Sequence, residues 1–197
     1  MAKPLQGKRV AMLVEKGFEQ IELTEPRKAL AEAGAETEVV SPVSGRVKGW
    51  NFTDWGEEVP VDTPLDAADP DAYDALVLPG GVMNPDKLRM NPRALEFVKA
   101  FFSAGKPVAV ICHGPWTLID AGVVAGRKIT SYPSIANDLR NAGAEWVDKE
   151  VVVDNGLVSS RNPDDLPAFT SKMIEEFAEG RHERPPAETK GGAGLPL

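Results

Sequence analysis

The 197-residue sequence is poor in the residues that fix proteins covalently or through metals, with one cysteine and two histidines. A single cysteine permits no disulfide within the chain, which suits a reducing compartment such as the cytoplasm. The scarcity of both residues leaves no cluster of the zinc-binding kind, and no phosphate-binding glycine loop is present. No apolar run approaches the ~20 residues of a membrane span. The first residues, MAKPLQGKRVAMLVEKG, lack the apolar core and small-residue cleavage site of a secretory leader. Basic residues are outnumbered, 22 Lys and Arg against 30 Asp and Glu, for a net charge of −8. That balance argues against nucleic acid and anionic membrane as partners. There is no internal repeat, and the length suits one domain with a full hydrophobic core.

The sequence is organised around the stretch from Lys106 to Gly122, KPVAVICHGPWTLIDAG. Val108 to Ile111 are small or β-branched and read as a strand buried on both faces. Cys112 follows with His113, Gly114 and Pro115, and Trp116 to Ala121 reads as a short helix ended by Gly122. The lone thiol therefore sits where a strand turns sharply into a helix, the geometry of a nucleophile elbow. A lone cysteine is more often a small core hydrophobe. The His-Gly-Pro that follows favours a reactive thiol here, partly exposed and held as thiolate.

Along the rest of the chain, Arg9 to Val14 reads as a first buried strand and Glu15 to Glu19 as its loop. Pro26 fits the first turn of a helix capped by Thr24 or Glu25 that stops at Gly34. Thr37 to Val40 is a second strand. Ser44 to Asp62 reads as turns and short strands, with a hairpin over the sheet edge. Ala75 to Leu78 is a third buried strand, ending in the loop Pro79–Pro85. Asn91-Pro92 caps a helix that carries Leu95, Val98 and Phe102 on one face and ends at Gly105. Ile129 to Ser131 is a short strand, and Ser134 to Ala142 a helix closed by Gly143. Val151 to Val153 and Leu157 to Ser160 flank Asn155-Gly156, a strong hairpin signal. Asn162-Pro163-Asp164-Asp165 starts a helix that runs to about Phe177. Residues 1–180 form one domain in this reading, and 181–197 a tail outside the core.

Strands that alternate with helices predict an α/β fold with a mostly parallel sheet and helices on both faces. Ligands bind such sheets beyond the carboxyl ends of the strands. The loops Glu15–Glu19, Pro79–Pro85 and Cys112–Pro115 all arrive at that rim. Gly80 and Gly81 are placed to offer backbone N–H groups to an oxyanion, with the His113 amide as a further donor. Glu19 is an acid able to border the thiol. His182 falls in the tail, so His113 is the one candidate imidazole. It is the sequence neighbour of Cys112, and neighbours on a helix point about 100° apart.

GFEQIEL, LVLPGG, ICHGP, GRKITSYP and the stretch NAGAEWVDKEVVVDNGLVSSRNPDDLPAF together resemble the PfpI family. This is the intracellular cysteine peptidase and general-stress-protein branch of the parkinsonism-associated deglycase superfamily, related to the class I glutamine amidotransferases. The resemblance covers about residues 8 to 178. It implies a flavodoxin-like three-layer sandwich, Cys112 as nucleophile, His113 as its neighbour and Glu19 as the acid touching the thiol. It also implies Gly80 and Gly81 as oxyanion glycines, no cofactor and no metal. A homo-oligomer, dimer or trimer of dimers, is implied as well, in which Asp86 reaches a neighbour's histidine. The founding pattern has Glu at the Asp86 position, and many relatives carry Gln where Trp116 stands beside the thiol. The implied substrate is a small carbonyl compound or a peptide, so the activity is glyoxalase- or deglycase-like in the cytoplasm. Intracellular cysteine peptidase and redox-sensing stress protein are the alternatives. A glutamine amidotransferase is disfavoured, since such enzymes need a later histidine and glutamate within the fold, and the later histidine here, His182, falls in the tail.

Overall fold

Alternation along each strand divides the interior into two cores, one on either face of a central sheet. The computed structural model describes residues 3–183. Its parallel strands are β1 (Arg9–Leu13), β2 (Glu36–Ser41), β5 (Thr63–Pro64), β6 (Ala75–Leu78), β7 (Val108–Ile111) and β11 (Leu157–Ser160). The edge strand β10 (Val152–Asp154) runs antiparallel to β11, and the sheet order is β10-β11-β7-β6-β1-β2-β5. Leu13, Leu76, Leu78, Val108 and Val110 face one core, where they meet Phe97, Phe101, Leu118 and Leu139. These last four lie on α3 (Pro92–Ser103), α4 (Pro115–Asp120) and α5 (Ala136–Asn141). Val10, Met12, Val77, Ala109 and Ile111 face the other core, against Leu23, Leu30, Phe169, Met173 and Phe177. Those belong to α1 (Gln20–Glu32) and α6 (Leu166–Glu179). The result is a three-layer α/β sandwich with a mostly parallel sheet, the expected architecture.

Several elements depart from the sequence reading. Helix α1 starts at Gln20, well before Pro26, so the proline lies inside it. Pro26 cannot donate to the Glu22 carbonyl one turn back, and burial of the Leu23, Pro26 and Leu30 face holds the helix together despite that loss. The Pro79–Pro85 loop shortens to a turn, because Met83–Leu88 folds as helix α2. On α3 the wholly buried face is Ala94, Phe97, Val98 and Phe101, with Leu95 and Phe102 at its margin. Lys128–Ile129 (β8) pairs with Glu145–Trp146 (β9) outside the main sheet, and Thr130 and Ser131 beyond it are buried without forming strand.

The irregular stretch after β2 is a two-stranded hairpin, β3 (Arg46–Asn51) with β4 (Asp54–Pro60). It is strapped to the loop before α1 by Gly17 N to Lys48 O, 2.8 Å, and Trp50 N to Phe18 O, 2.7 Å. Asn91 caps α3 and Asn155-Gly156 turns β10 into β11 with both residues at positive φ, as expected. Most of the tail, residues 184–197, lies outside the described residues. Its first residues run back to the sheet, with His182 N donating to Gly105 O at 2.8 Å. No helix among the described residues is long and apolar enough to cross a membrane.

Candidate active site

Three chain segments converge beyond the carboxyl end of β7: the loop before α1, the glycine turn after β6 and the elbow itself. Cys112 takes the left-handed conformation, φ +63°, which a non-glycine residue adopts only when its surroundings force it. Here they do. Its N–H donates to Ser160 O at 3.1 Å, and its carbonyl accepts from Tyr132 N at 2.9 Å. The positive φ has a chemical consequence. It breaks the helical relation between neighbours, so His113 folds back and its Nδ1 lies 3.2 Å from Cys112 Sγ. The poor approach expected of adjacent helix residues does not arise.

Cys112 is buried, 7% exposed, against the partly exposed thiol that the sequence suggested. Burial pushes the Cys112 thiol up, and the neighbouring Glu22 carboxyl pushes it in the same direction. The backbone N–H groups of Gly81 and His113 donate to the sulfur and pull the other way. Cys112 in this resting site is therefore a thiol that needs a base, rather than a standing thiolate. The imidazole beside it supplies one. Burial holds His113 below its ordinary range, hence neutral, and Nε2 lies 3.1 Å from Ser134 Oγ. With Nε2–H donating to that hydroxyl, Nδ1 keeps the lone pair that faces the thiol. Tyr132 stacks on the ring at 4.7 Å and Trp116 meets it edge-on at 5.3 Å.

The carboxyl that acts on the thiol is Glu22, and the expectation that Glu19 touches it is corrected. Glu22 is 0% exposed, in the first turn of α1. Its Oε2 accepts the Gly80 N–H at 2.8 Å, while its Oε1 is buried without a hydrogen-bond partner. Burial pushes this carboxyl up to about 8, so it carries a proton at neutral pH. Glu19 sits at the N-cap position of α1 without capping it, and its Oε1 accepts the Phe52 N–H at 3.2 Å. The sequence signal for Glu22 was its register: it shares the helix face of Leu23, Pro26 and Leu30, where an acid is out of place.

The two glycines also divide their roles. Gly81 presents its amide to the sulfur from φ +76°, and a Cβ there would lie 2.5 Å from Gly17 O. Gly80 is not an oxyanion donor, because its N–H is committed to Glu22. A Cβ on Gly80 would lie 2.5 Å from Cys112 Cβ and 2.6 Å from Glu22 Oε2, so only glycine lets thiol and acid approach each other. Buried Asn84 locks this turn, donating to Pro79 O and Gly80 O and accepting from Glu15 N. Asp86 lies exposed in the first turn of α2, and its side chain makes no hydrogen bond or ion pair within the described residues. Within the single chain Ser134 takes the place at His113 that Asp86 was expected to fill. Ser134 and Asn84 carry no sequence signal of their own. Trp116 does not line the cleft. Its Nε1 donates to Asp138 Oδ2 at 2.8 Å, on the far side of His113.

The cleft over Cys112 has a volume of about 480 Å³ and is bordered by the hairpin residues Trp50 and Phe52, by Val82 and Met83, and by Tyr132. Among the described residues, Glu176, Glu179 and His182 are the one group whose ligand atoms gather within 4.8 Å as a metal would need. That group lies beyond the amino ends of β7 and β11, at the opposite side of the sheet from the thiol.

The chain is similar to known proteins along most of its length. The family model described as DJ-1/PfpI family matches residues 8–176. Deglycase PfpI of Pyrococcus furiosus is 46% identical over 167 residues, 85% of this chain and 98% of the relative. General stress protein 18 of Bacillus subtilis is 48% identical over 170 residues, 85% of this chain and 96% of the relative. The crystal structure of Drosophila melanogaster DJ-1beta superposes with a TM-score of 0.79 at 31% identity, covering 87% of this chain and 90% of that one. A fold, an elbow and a matched length of this extent leave one assignment: the chain belongs to the DJ-1/PfpI family.

Proposed function

We propose that this protein is a stress-protective enzyme of the cytoplasm that attacks reactive carbonyl compounds, a 2-oxoaldehyde or its adduct, through Cys112. The observation that carries the reading is the trio at one point: a buried thiol, a neutral imidazole nitrogen 3.2 Å from it, and a protonated carboxyl. His113 Nδ1 takes the thiol proton as sulfur adds to the aldehyde carbon. The carbonyl electron pair moves onto oxygen, which the Gly81 and His113 amides flank and Glu22 or the imidazolium protonates. The product is a thiohemiacetal. Transfer of the C1 proton to C2 by the same imidazole, with the C1 hydroxyl proton passing to the C2 oxygen, turns it into the thioester of a 2-hydroxy acid. Water then cleaves the thioester and returns the thiol. One water and one 2-oxoaldehyde become one 2-hydroxy acid, so no external oxidant or reductant is needed.

Relatives named as deglycases support this reading. A peptidase would use the same groups on an amide, where protonating the leaving amine calls for an imidazolium backed by a carboxylate. A neutral Ser134 hydroxyl stands behind His113 in the single chain. A carboxylate would have to come from Asp86 of a second copy, and that homo-oligomer is part of the proposal. Sedimentation at micromolar concentration tests it, and a monomer ends it. The chemistry is tested by assaying the wild type and Cys112→Ala in parallel on methylglyoxal and on casein. Methylglyoxal turnover that disappears in the variant is expected. Cleavage of casein alone would make the protein a peptidase, and no turnover of either would leave the thiol a redox sensor.

A further inference from the structure

The tip of the β3–β4 hairpin is strained, and the strain is directed at the cleft. Phe52 has φ +55°, a conformation that hairpin turns ordinarily give to glycine. Thr53 N donates to Asn51 O at 2.6 Å, closing a tight three-residue turn around that positive φ, the rarer and less favourable form of such a turn. Two side chains hold the Phe52 peptide there. Glu19 Oε1 accepts its N–H at 3.2 Å, and Trp50 Nε1 donates to its carbonyl at 2.8 Å. Glu19 is itself 8% exposed, a buried carboxyl whose hydrogen-bond partner is this one strained amide. The reward is not burial of the ring, since Phe52 remains 60% exposed. Phe52 instead lines the cleft over Cys112 together with Val82 and Tyr132, both also exposed. A fold that strains an aromatic residue and keeps it out of the core leaves that ring free for a ligand.

We infer that Glu19 is a positioning residue. It holds Phe52 over the cleft, and the wall so formed is a subsite for an aromatic substituent on the electrophile that Cys112 attacks. The identity of that electrophile as a carbonyl compound rests on the proposed function above. The favoured substrates are then aryl 2-oxoaldehydes over methyl ones. A ring that stacks into the Phe52–Tyr132 rim gains aromatic contact that a methyl group cannot make.

The test uses reagents that report the subsite without turnover. 2-Bromoacetophenone and bromoacetone share a warhead and differ only in phenyl against methyl. In each, the Cys112 sulfur displaces bromide, the C–S bond forms as C–Br breaks, and the thiol proton leaves to His113 and solvent. Rates are followed by intact mass and divided by those for free cysteine. The wild type is expected to favour the phenyl reagent by about tenfold or more, carried by the saturation constant rather than the limiting rate. Phe52→Ala and Glu19→Ala should both collapse that ratio towards one. Glu19→Gln, whose amide oxygen still accepts the Phe52 N–H, should restore most of it. A ratio near one in the wild type overturns the proposal, as does a ratio that survives Phe52→Ala. Where Glu19→Ala does not fold, the Phe52→Ala and Glu19→Gln results decide. Should the wild type show the ratio yet turn over no 2-oxoaldehyde, the carbonyl-enzyme reading fails while the subsite stands.

Discussion

Replacing Glu22 with Gln should change the pH dependence of stability more than stability itself. The glutamine oxygen can still accept the Gly80 N–H, and the side chain keeps its volume, but nothing at this position titrates. In the wild type, burial pushes the folded carboxyl up to about 8, against its ordinary 4.5 in the unfolded chain. The sign follows from proton counting. Below pH 4.5 both states hold the proton, and the carboxyl leaves stability untouched. Between 4.5 and about 8 the unfolded chain releases its proton while the folded protein keeps it, so rising pH favours unfolding. Above about 8 both are ionised, and the fold bears the whole cost of a buried charge. At about 1.4 kcal/mol for each pH unit, the loss across the window is on the order of 5 kcal/mol. Because Glu22 is fully buried, solvent screening does not reduce this much. The assay is urea unfolding of both proteins at pH 5, 6.5 and 8, read as the difference between them so that groups common to both cancel. The Gln variant should gain on the wild type by about 1 kcal/mol or more for each pH unit, and by several kcal/mol over the range. Parallel pH profiles would refute the reasoning, since they would mean that Glu22 is ionised in the fold from pH 5 upward.

Three further outcomes follow from the same geometry. Gly80→Ala forces a Cβ to within 2.5 Å of Cys112 Cβ. It should cost about 3 kcal/mol or more in urea unfolding, and an unchanged midpoint would show that the turn can yield. Ser134→Ala removes the acceptor for His113 Nε2–H, and loss of about 0.5–1.5 kcal/mol of orientation should slow Cys112 alkylation at pH 7 by about two- to tenfold. An equal rate in that variant would mean the imidazole needs no partner. Mild peroxide should add one or two oxygens to Cys112 by intact mass, because the chain has no second cysteine to resolve a sulfenic acid. A product dominated by covalent dimer would contradict this.

Much of the frame can be read from local patterns, because local chemistry fixes it. Ala75–Leu78 and Val108–Ile111 are apolar runs that only a strand buried on both faces accommodates, and both lie where the pattern puts them. Asn91-Pro92 and Asn155-Gly156 work through their own side chains and backbone freedom, so they need no tertiary context. The elbow belongs to this group too, since a strand that runs into Cys-His-Gly-Pro has few ways to turn.

The allocation of the acids was settled only by packing. Glu19 and Glu22 stand three residues apart near the start of one helix, so sequence spacing places both near the thiol. The start of α1 was itself hidden, because Glu19 caps nothing with its side chain and Pro26 imitates a first-turn proline. The glycine turn approaches close enough to give one carboxyl an amide at Gly80, and the hairpin, far along the chain, gives the other an amide at Phe52. Likewise the contact between Cys112 and His113 depends on a positive φ that the Ser160 carbonyl and Tyr132 amide hold in place, and the outer nitrogen of His113 finds Ser134, which carries no local signal. The sequence alone determined which residues carry the chemistry of the elbow and which strands deliver them. The tertiary structure decided which acid holds the proton and which acid shapes the cleft, because burial and hydrogen-bond partners are set by segments distant in sequence.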